Sequence, residues 1–234
     1  IAPGISSEDR LLAITTISFD IAGLELFLPL ITGATIVMAD TEMARDGRLL
    51  LQSMQENEIT FMQATPSTWR MLKNAGWNKP FPIKALCGGE GLPEDLKNQL
   101  LKKCDSVWNV YGPTETTIWS TAKELHPNER IITIGRPIAN TQVYLLNEDK
   151  ELVPEGQVGE IYIGGMGVAR GYLYREDLTL ERFFDDPFTK SPHARMYRTG
   201  DLGKFLPNGE IVCLGRVDQQ VKIRGHRIEL GEIE

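Results

Sequence analysis

The stretch NVYGPTETTIW, from Asn109 to Trp119, crowds an aromatic ring, a Gly-Pro bend, a carboxylate and the hydroxyls of Thr114, Thr116 and Thr117 into one tight segment. Two chemistries fit it. The first is a plain helix start, with Gly112-Pro113 making the bend, Thr114 capping, and Glu115 against the positive end of the helix dipole. The second is a nucleotide site: exposed N–H groups and hydroxyls cradle phosphate, a carboxylate holds magnesium, and an aromatic face stacks on a base. Spacing alone leaves the two balanced. A second candidate is MYRTGD, where Asp201 after Gly200 at a strand end reads in isolation as an ordinary turn residue, the alternative being a carboxylate whose two oxygens match a ribose diol. Asp20 is a good N-cap for a following helix. His126, His193 and His226 lack triad or metal spacing and read as surface residues, and the glycines of GEIYIGGMGVARGYL match a dinucleotide fingerprint only loosely.

These residues need a frame. Up to about residue 130 strand-like and helix-like stretches alternate: LLAITTISF, GATIVMAD, ITFMQA, IKALCGG and SVWNV as strands, RLLLQSMQENE and PEDLKNQLLKK as helices, and Thr65-Pro66 as the cap and first position of another helix. Ile21, Leu24 and Leu28 fall at helical spacing. Repeated βα units imply a mostly parallel sheet covered by helices, with ligands beyond the carboxyl ends of its strands. Asp20, Gln63, Gly88, Gly89 and Tyr111 to Glu115 are expected there. From Ile131 onward the texture is short strands and Gly or Asn-Gly turns, as in TQVYLLNEDKELV, GEIYIGG and GKFLPNGEIVCLGR, which predicts a small antiparallel sheet or barrel. VDQQVKIRGHRIEL is a further expected hairpin. The divisions expected are 1–130, 131–217 and 218–234.

Composition narrows the function. The 234 residues are 41% hydrophobic and 24% charged, the profile of a globular chain with a sizeable core. A net charge of -7 without basic runs speaks against nucleic acid. No signal peptide or bilayer-length apolar run occurs, since Glu25 and Pro29 interrupt the longest one, so a soluble protein is expected. Cys87, Cys104 and Cys213 lie far apart and read as reduced packing residues of a cytoplasmic protein. The chain opens at Ile1 and closes at Glu234 inside an unterminated amphipathic pattern, and reads as a piece of something larger.

Taken together, NVYGPTET, GEIYIGGMGVARGYL, YRTGDL and GRVDQQVKIRGHRIELGEIE resemble, in order and spacing, the adenylation domains of nonribosomal peptide synthetases, within the adenylate-forming superfamily that also holds acyl-CoA synthetases and luciferases. The resemblance implies the α/β large N-terminal domain of that fold. It implies activation of a carboxylic acid by ATP, release of pyrophosphate, and capture of the acyl-adenylate by the phosphopantetheine thiol of a carrier protein. It assigns Thr114 to phosphate and Glu115 to Mg²⁺ as the catalytic pair. Tyr111 and Gly112, with Asn109 and Gly89, would frame the adenine; Asp201 would hold the ribose with help from Arg216; Asp218 would be the hinge of a small C-terminal domain. Where many relatives carry a second aromatic near the nucleotide, this chain has Cys213. The glycine-rich Ser/Thr loop and the C-terminal lysine of the family are not among these residues, so the segment alone is expected to be inactive.

By the same resemblance the acid pocket maps onto Asp20, Ile21, Leu24, Gln63, Leu86, Gly88, Val110, Ile118 and Trp119. An Asp among apolar neighbours calls for a cation, which an α-ammonium supplies. The bulk of Trp119, Leu24, Gln63 and Ile118 leaves little room for a side chain, and the set resembles glycine-activating domains, with Val110 where Leu is more usual. Alanine or a starter acid without an amine are the alternatives, as are an acyl-CoA synthetase and a degenerate scaffold.

Overall fold

The computed structural model describes residues 3–218 and, as backbone, the strands Val221–Ile223 and His226–Ile228. Most of the stretch 218–234 therefore lies outside the described residues, as do the side chain of His226 and the pattern after Ile228. The chain divides into two compact units, one built mainly from residues up to Val110 with Glu124–Ile132, the other from Tyr111–Lys123 with Thr133–Val221.

The first unit is an α/β sheet. Strands β1 (Arg10–Ala13), β2 (Thr35–Met38), β3 (Phe61–Ala64), β4 (Lys84–Cys87) and β5 (Ser106–Tyr111) run in the order β2-β1-β3-β4-β5, all parallel. Helices α1 (Ala22–Thr32), α2 (Gly47–Glu56), α3 (Pro66–Asn74) and α4 (Glu94–Leu100) connect them. Local chemistry sets their ends. Thr65 accepts from Thr68 N and Pro66 opens α3, while Asp46 caps α2 by accepting from Arg48 N at 2.8 Å. α1 stops at Gly33, which takes the left-handed conformation with φ 75 and donates to Pro29 O.

Strand alternation decides what each face carries. Met62, Ala64, Ala85, Cys87 and Val107 enter a core with Trp69 and the helices. In the register Gln63 pairs Leu86 and Leu86 pairs Trp108, so Gln63, Leu86, Gly88 and Val110 share the opposite parity near the carboxyl ends.

The second unit is antiparallel. Strands β6 (Thr121–Glu124) and β7 (Arg136–Pro137) pair with each other. β8 (Thr141–Leu146), β9 (Gly159–Gly165), β10 (Phe183–Asp185), β11 (Arg195–Phe205) and β12 (Ile211–Arg216) form a sheet ordered β10-β11-β9-β8 with β12 on β11, and α5 (Glu176–Arg182) precedes β10. Its core joins Ile134, Val143, Leu145, Ile161, Ile163 and Ile211. β11 and β12 form the hairpin that Asn208-Gly209 foretells, with Gly209 at φ 77. The expected last hairpin is present as paired strands β13 (Val221–Ile223) and β14 (His226–Ile228).

Three expectations need correction. β1 ends at Ala13, so Asp20 lies in the following loop rather than at a strand end. The N-cap position of α1 is held by Ile21, not Asp20. Asp201 is not a turn residue after a strand but sits within the long β11.

Candidate functional site

Within the second unit, Asp201 is a buried carboxylate with partners on both oxygens. Tyr111 donates its hydroxyl to Oδ2 at 2.5 Å and Arg216 donates from Nη1 to Oδ1 at 2.8 Å. Asp201 and Arg216 are cross-strand partners of β11 and β12, which is why the pair forms. The pairing of β11 with β9 shifts register between Arg198 and Leu202, so residues in this interval leave the regular ladder. Thr199 anchors the bulge: its hydroxyl donates to Ile161 O at 2.8 Å and accepts from Asp201 N at 2.9 Å. Gly200 stands at φ 79, and a Cβ there would lie 2.7 Å from Arg216 Nη2. Only glycine lets the guanidinium pass so close. Arg216 also holds Asp218, through Nε at 2.6 Å and Nη2 at 2.8 Å.

Burial first, and then the Asp201 carboxylate, push the Tyr111 phenol well above its ordinary range. It therefore stays protonated and donates. Its ring packs against the core of the second unit together with Cys213.

The bend after Tyr111 is held by its own backbone. A Cβ on Gly112 would meet Ile118 O at 2.6 Å and Trp119 Cα at 2.7 Å. Beyond Pro113 the chain forms not a helix but a single 3-10 turn over Thr114–Thr116, so no helix dipole faces Glu115. The hydroxyls divide into two sets. Thr116 is buried and bonds Pro113 O at 3.1 Å and Ser120 Oγ at 2.7 Å; Thr117 donates to Gly167 O at 2.7 Å. Those two build the loop. Thr114 is exposed at the first position of the turn, beside the buried Glu115, whose Oε1 accepts from Tyr172 at 2.6 Å. Thr117 and Ile118 both take φ 65, a strained course for side chains of their kind, and Trp119 is buried.

In the first unit, Gln63 donates from Nε2 to Ile21 O at 2.5 Å and to Glu25 Oε1 at 3.1 Å. Glu25 is fully buried and also accepts from Ile14 N, Thr15 N and the Thr15 hydroxyl. Burial, against these hydrogen bonds, raises its pKa from the ordinary 4.5. This clamp ties Gln63 to the start of α1, beside Asp20, Ile21 and Leu24. Gln63 pairs Leu86 in register, Gly88 N donates to Ala64 O at 3.3 Å, and Gly89 turns at φ 82. Asn109 pairs Cys87 and is buried, as is Val110. Sequence reasoning gives Glu25 and Tyr172 no role. The signals that could have found them are a charge on the apolar stripe of α1 and an aromatic inside GEIYIGGMGVARGYL.

Among the described residues no helix is long and apolar enough to cross a membrane, and no group of three or more His, Cys, Asp or Glu could hold a metal.

The family model "AMP-binding enzyme" matches residues 2–173. The chain is 50% identical over 231 residues to a dimodular nonribosomal peptide synthase of Bacillus subtilis (strain 168), covering 98% of this chain and 10% of that protein. It resembles the crystal structure of a holo four-domain nonribosomal peptide synthetase bound to AMP and glycine, at 46% identity and TM-score 0.86, over 98% of this chain and 17% of that one. It also resembles a nonribosomal peptide synthetase protein containing adenylation and PCP domains bound to a vinylsulfonamide inhibitor, at 30% identity and TM-score 0.88, over 99% of this chain and 41% of that one. The chain thus spans between 10% and 41% of the length of these relatives. It belongs to the AMP-binding enzyme family, in the adenylation form found in nonribosomal peptide synthetases.

Proposed function

We propose that this chain is the substrate-binding portion of an amino-acid adenylation domain, which converts ATP and an amino acid to aminoacyl-AMP and pyrophosphate before transfer to the phosphopantetheine thiol of a peptidyl carrier protein. The observation that carries this reading is Asp201, fixed by Tyr111 and Arg216. Each carboxylate oxygen has two lone pairs, so both can still accept a ribose hydroxyl beside their protein donors. The carboxylate is held before the nucleotide arrives, which lowers the cost of ordering it.

Thr114 serves the α-phosphate from the exposed start of its turn, and Gly89, Asn109, Tyr111 and Gly112 frame the adenine. Glu115 suits Mg²⁺ by the chemistry of its donor set, since this ion takes oxygen ligands and needs one or two carboxylates with the remaining sites on phosphate and water. Mg²⁺, when bound, neutralises charge on the polyphosphate and favours the leaving pyrophosphate. The chain's own work is to orient: the attacking carboxylate of the amino acid must lie in line with the departing pyrophosphate.

Asp20 pairs with the α-ammonium, and Ile21, Leu24, Gln63, Leu86, Gly88, Val110, Ile118 and Trp119 bound the side-chain space. The substrate is glycine. Its support is the bulk of these residues and the glycine bound by the 46% identical relative. Alanine is the nearest competitor, because one methyl discriminates by about 1–3 kcal/mol. Pyrophosphate exchange by the full-length protein across all amino acids tests this: glycine should be best, and preference for a large side chain would overturn it. Asp20→Ala should abolish exchange, whereas a starter acid without an amine would tolerate it. Asp218 is proposed as the hinge.

A further inference from the structure

Glu115 is gripped from outside its own turn. Its main-chain carbonyl accepts from Ala169 N at 2.8 Å, and its Oε1 accepts from the Tyr172 hydroxyl at 2.6 Å. Tyr172 is in turn fixed along its length. Its N–H donates to Thr179 Oγ1 at 2.9 Å, its ring meets Phe183 edge-on with centroids 5.5 Å apart, and its hydroxyl lies 3.3 Å from that of Tyr197. The preceding Gly171 stands at φ 138, where a Cβ would fall 2.4 Å from Thr179 Cγ2. Backbone, ring and hydroxyl together aim one short, charge-assisted hydrogen bond at one oxygen of the carboxylate.

A carboxylate on a flexible side chain can rotate about its last bonds, and a fixed donor on one oxygen removes that freedom. The other oxygen then points in a set direction. Partners of metal-binding side chains commonly set ligand orientation in this way. We propose that Tyr172 is a positioning residue for Mg²⁺, its hydroxyl holding Glu115 in the rotation that receives the ion. The proposal rests on the assignment of Glu115 to Mg²⁺ made above.

The test is equilibrium binding of a fluorescent ATP analogue to the full-length protein, titrated with Mg²⁺ and repeated in EDTA. Tyr172→Phe keeps the ring and its contact with Phe183 but deletes the donor. It should raise the Mg²⁺ concentration for half-maximal binding by about tenfold or more. Affinity in EDTA should stay as in wild type, and the variant should still unfold cooperatively, its thermal midpoint lowered by the few degrees that one lost hydrogen bond costs. An unchanged Mg²⁺ requirement, or an equal loss with and without Mg²⁺, overturns the proposal. Glu115→Gln separates the two layers. If it moves the Mg²⁺ requirement while Tyr172→Phe does not, the role of Tyr172 fails and Glu115 keeps its own. If Glu115→Gln also leaves it unmoved, both assignments fall.

Discussion

Tyr111 and Asp201 lie 90 positions apart in the chain and 2.5 Å apart in space, phenol to carboxylate. The register shift between β11 and β9 frees Asp201 from that ladder, while its pairing with Arg216 keeps it in register with β12. Tyr111 and Asp201 are buried or half-buried, so their bond forms in a poorly solvated setting where a charged acceptor gains most from a fixed donor.

Asp201→Asn preserves volume but removes the charge that Arg216 and Tyr111 address. Hydrogen bonds to charged groups are worth about 1.5–3 kcal/mol, so the KM for ATP should rise about tenfold or more. The KM for the amino acid should change little. Steady-state exchange kinetics with each substrate varied in turn would show whether the loss falls on the nucleotide.

Gly200→Ala and Gly112→Ala should differ in kind. At Gly200 the new Cβ meets the mobile tip of Arg216, so the strain of φ 79 costs about 1 kcal/mol while the guanidinium is displaced and nucleotide affinity falls. At Gly112 it meets the backbone of Ile118 and Trp119, which cannot step aside, and stability should drop by about 2 kcal/mol or more. Urea unfolding and nucleotide titration of both variants would expose an equal pattern, which would contradict this distinction.

Glu25 should make stability depend on pH in an unusual direction. Burial raises its folded pKa above 4.5, so the folded chain binds its proton longer than the unfolded chain does. The contribution is present below 4.5 and is lost as pH rises through the folded value. Relative to Glu25→Gln, wild type should therefore lose stability as pH climbs from about 4 toward 7. A gain over that range, read by urea unfolding at each pH, would show that the four donors outweigh desolvation. Glu25→Ala strands the donors of Ile14, Thr15 and Gln63 and should cost about 3 kcal/mol.

Glu210 has the opposite sign. Burial raises its pKa, but the hydrogen bonds from Lys123 at 2.6 Å and Thr133 at 2.9 Å, with the Lys123 charge, bring it below 4.5. Its stabilisation is present above 4.5 and fades as pH falls through the lowered value. Glu210→Gln should cost about 2 kcal/mol at neutral pH and close to nothing in strong acid. A deficit that persists unchanged at low pH would assign the loss to packing rather than to the ion pair.

Much of the frame was legible because its cues are local. Alternating strand and helix patterns marked β2 through β5 with their helices, Thr65-Pro66 announced α3, and Asn208-Gly209 announced the β11–β12 hairpin. The errors came where a local preference met a tertiary demand. Asp20 has the chemistry of a cap, yet α1 starts one residue later, where the clamp of Glu25 on Ile14 and Thr15 fixes the helix. Asp201 follows a glycine and looks like a turn, yet cross-strand pairing with Arg216 keeps it in β11.

The sequence by itself determined the order of elements, the family and the chemical types available in NVYGPTETTIW and YRTGDL, because short-range periodicity and motif spacing are properties of the chain alone. Only the tertiary structure decided which oxygen serves which purpose. Thr116 and Thr117 went to the loop, Glu115 came under Tyr172, and Asp201 was placed between Tyr111 and Arg216. A hydrogen bond depends on distances of a few ångströms between residues far apart in the chain, and no spacing along the sequence encodes those distances.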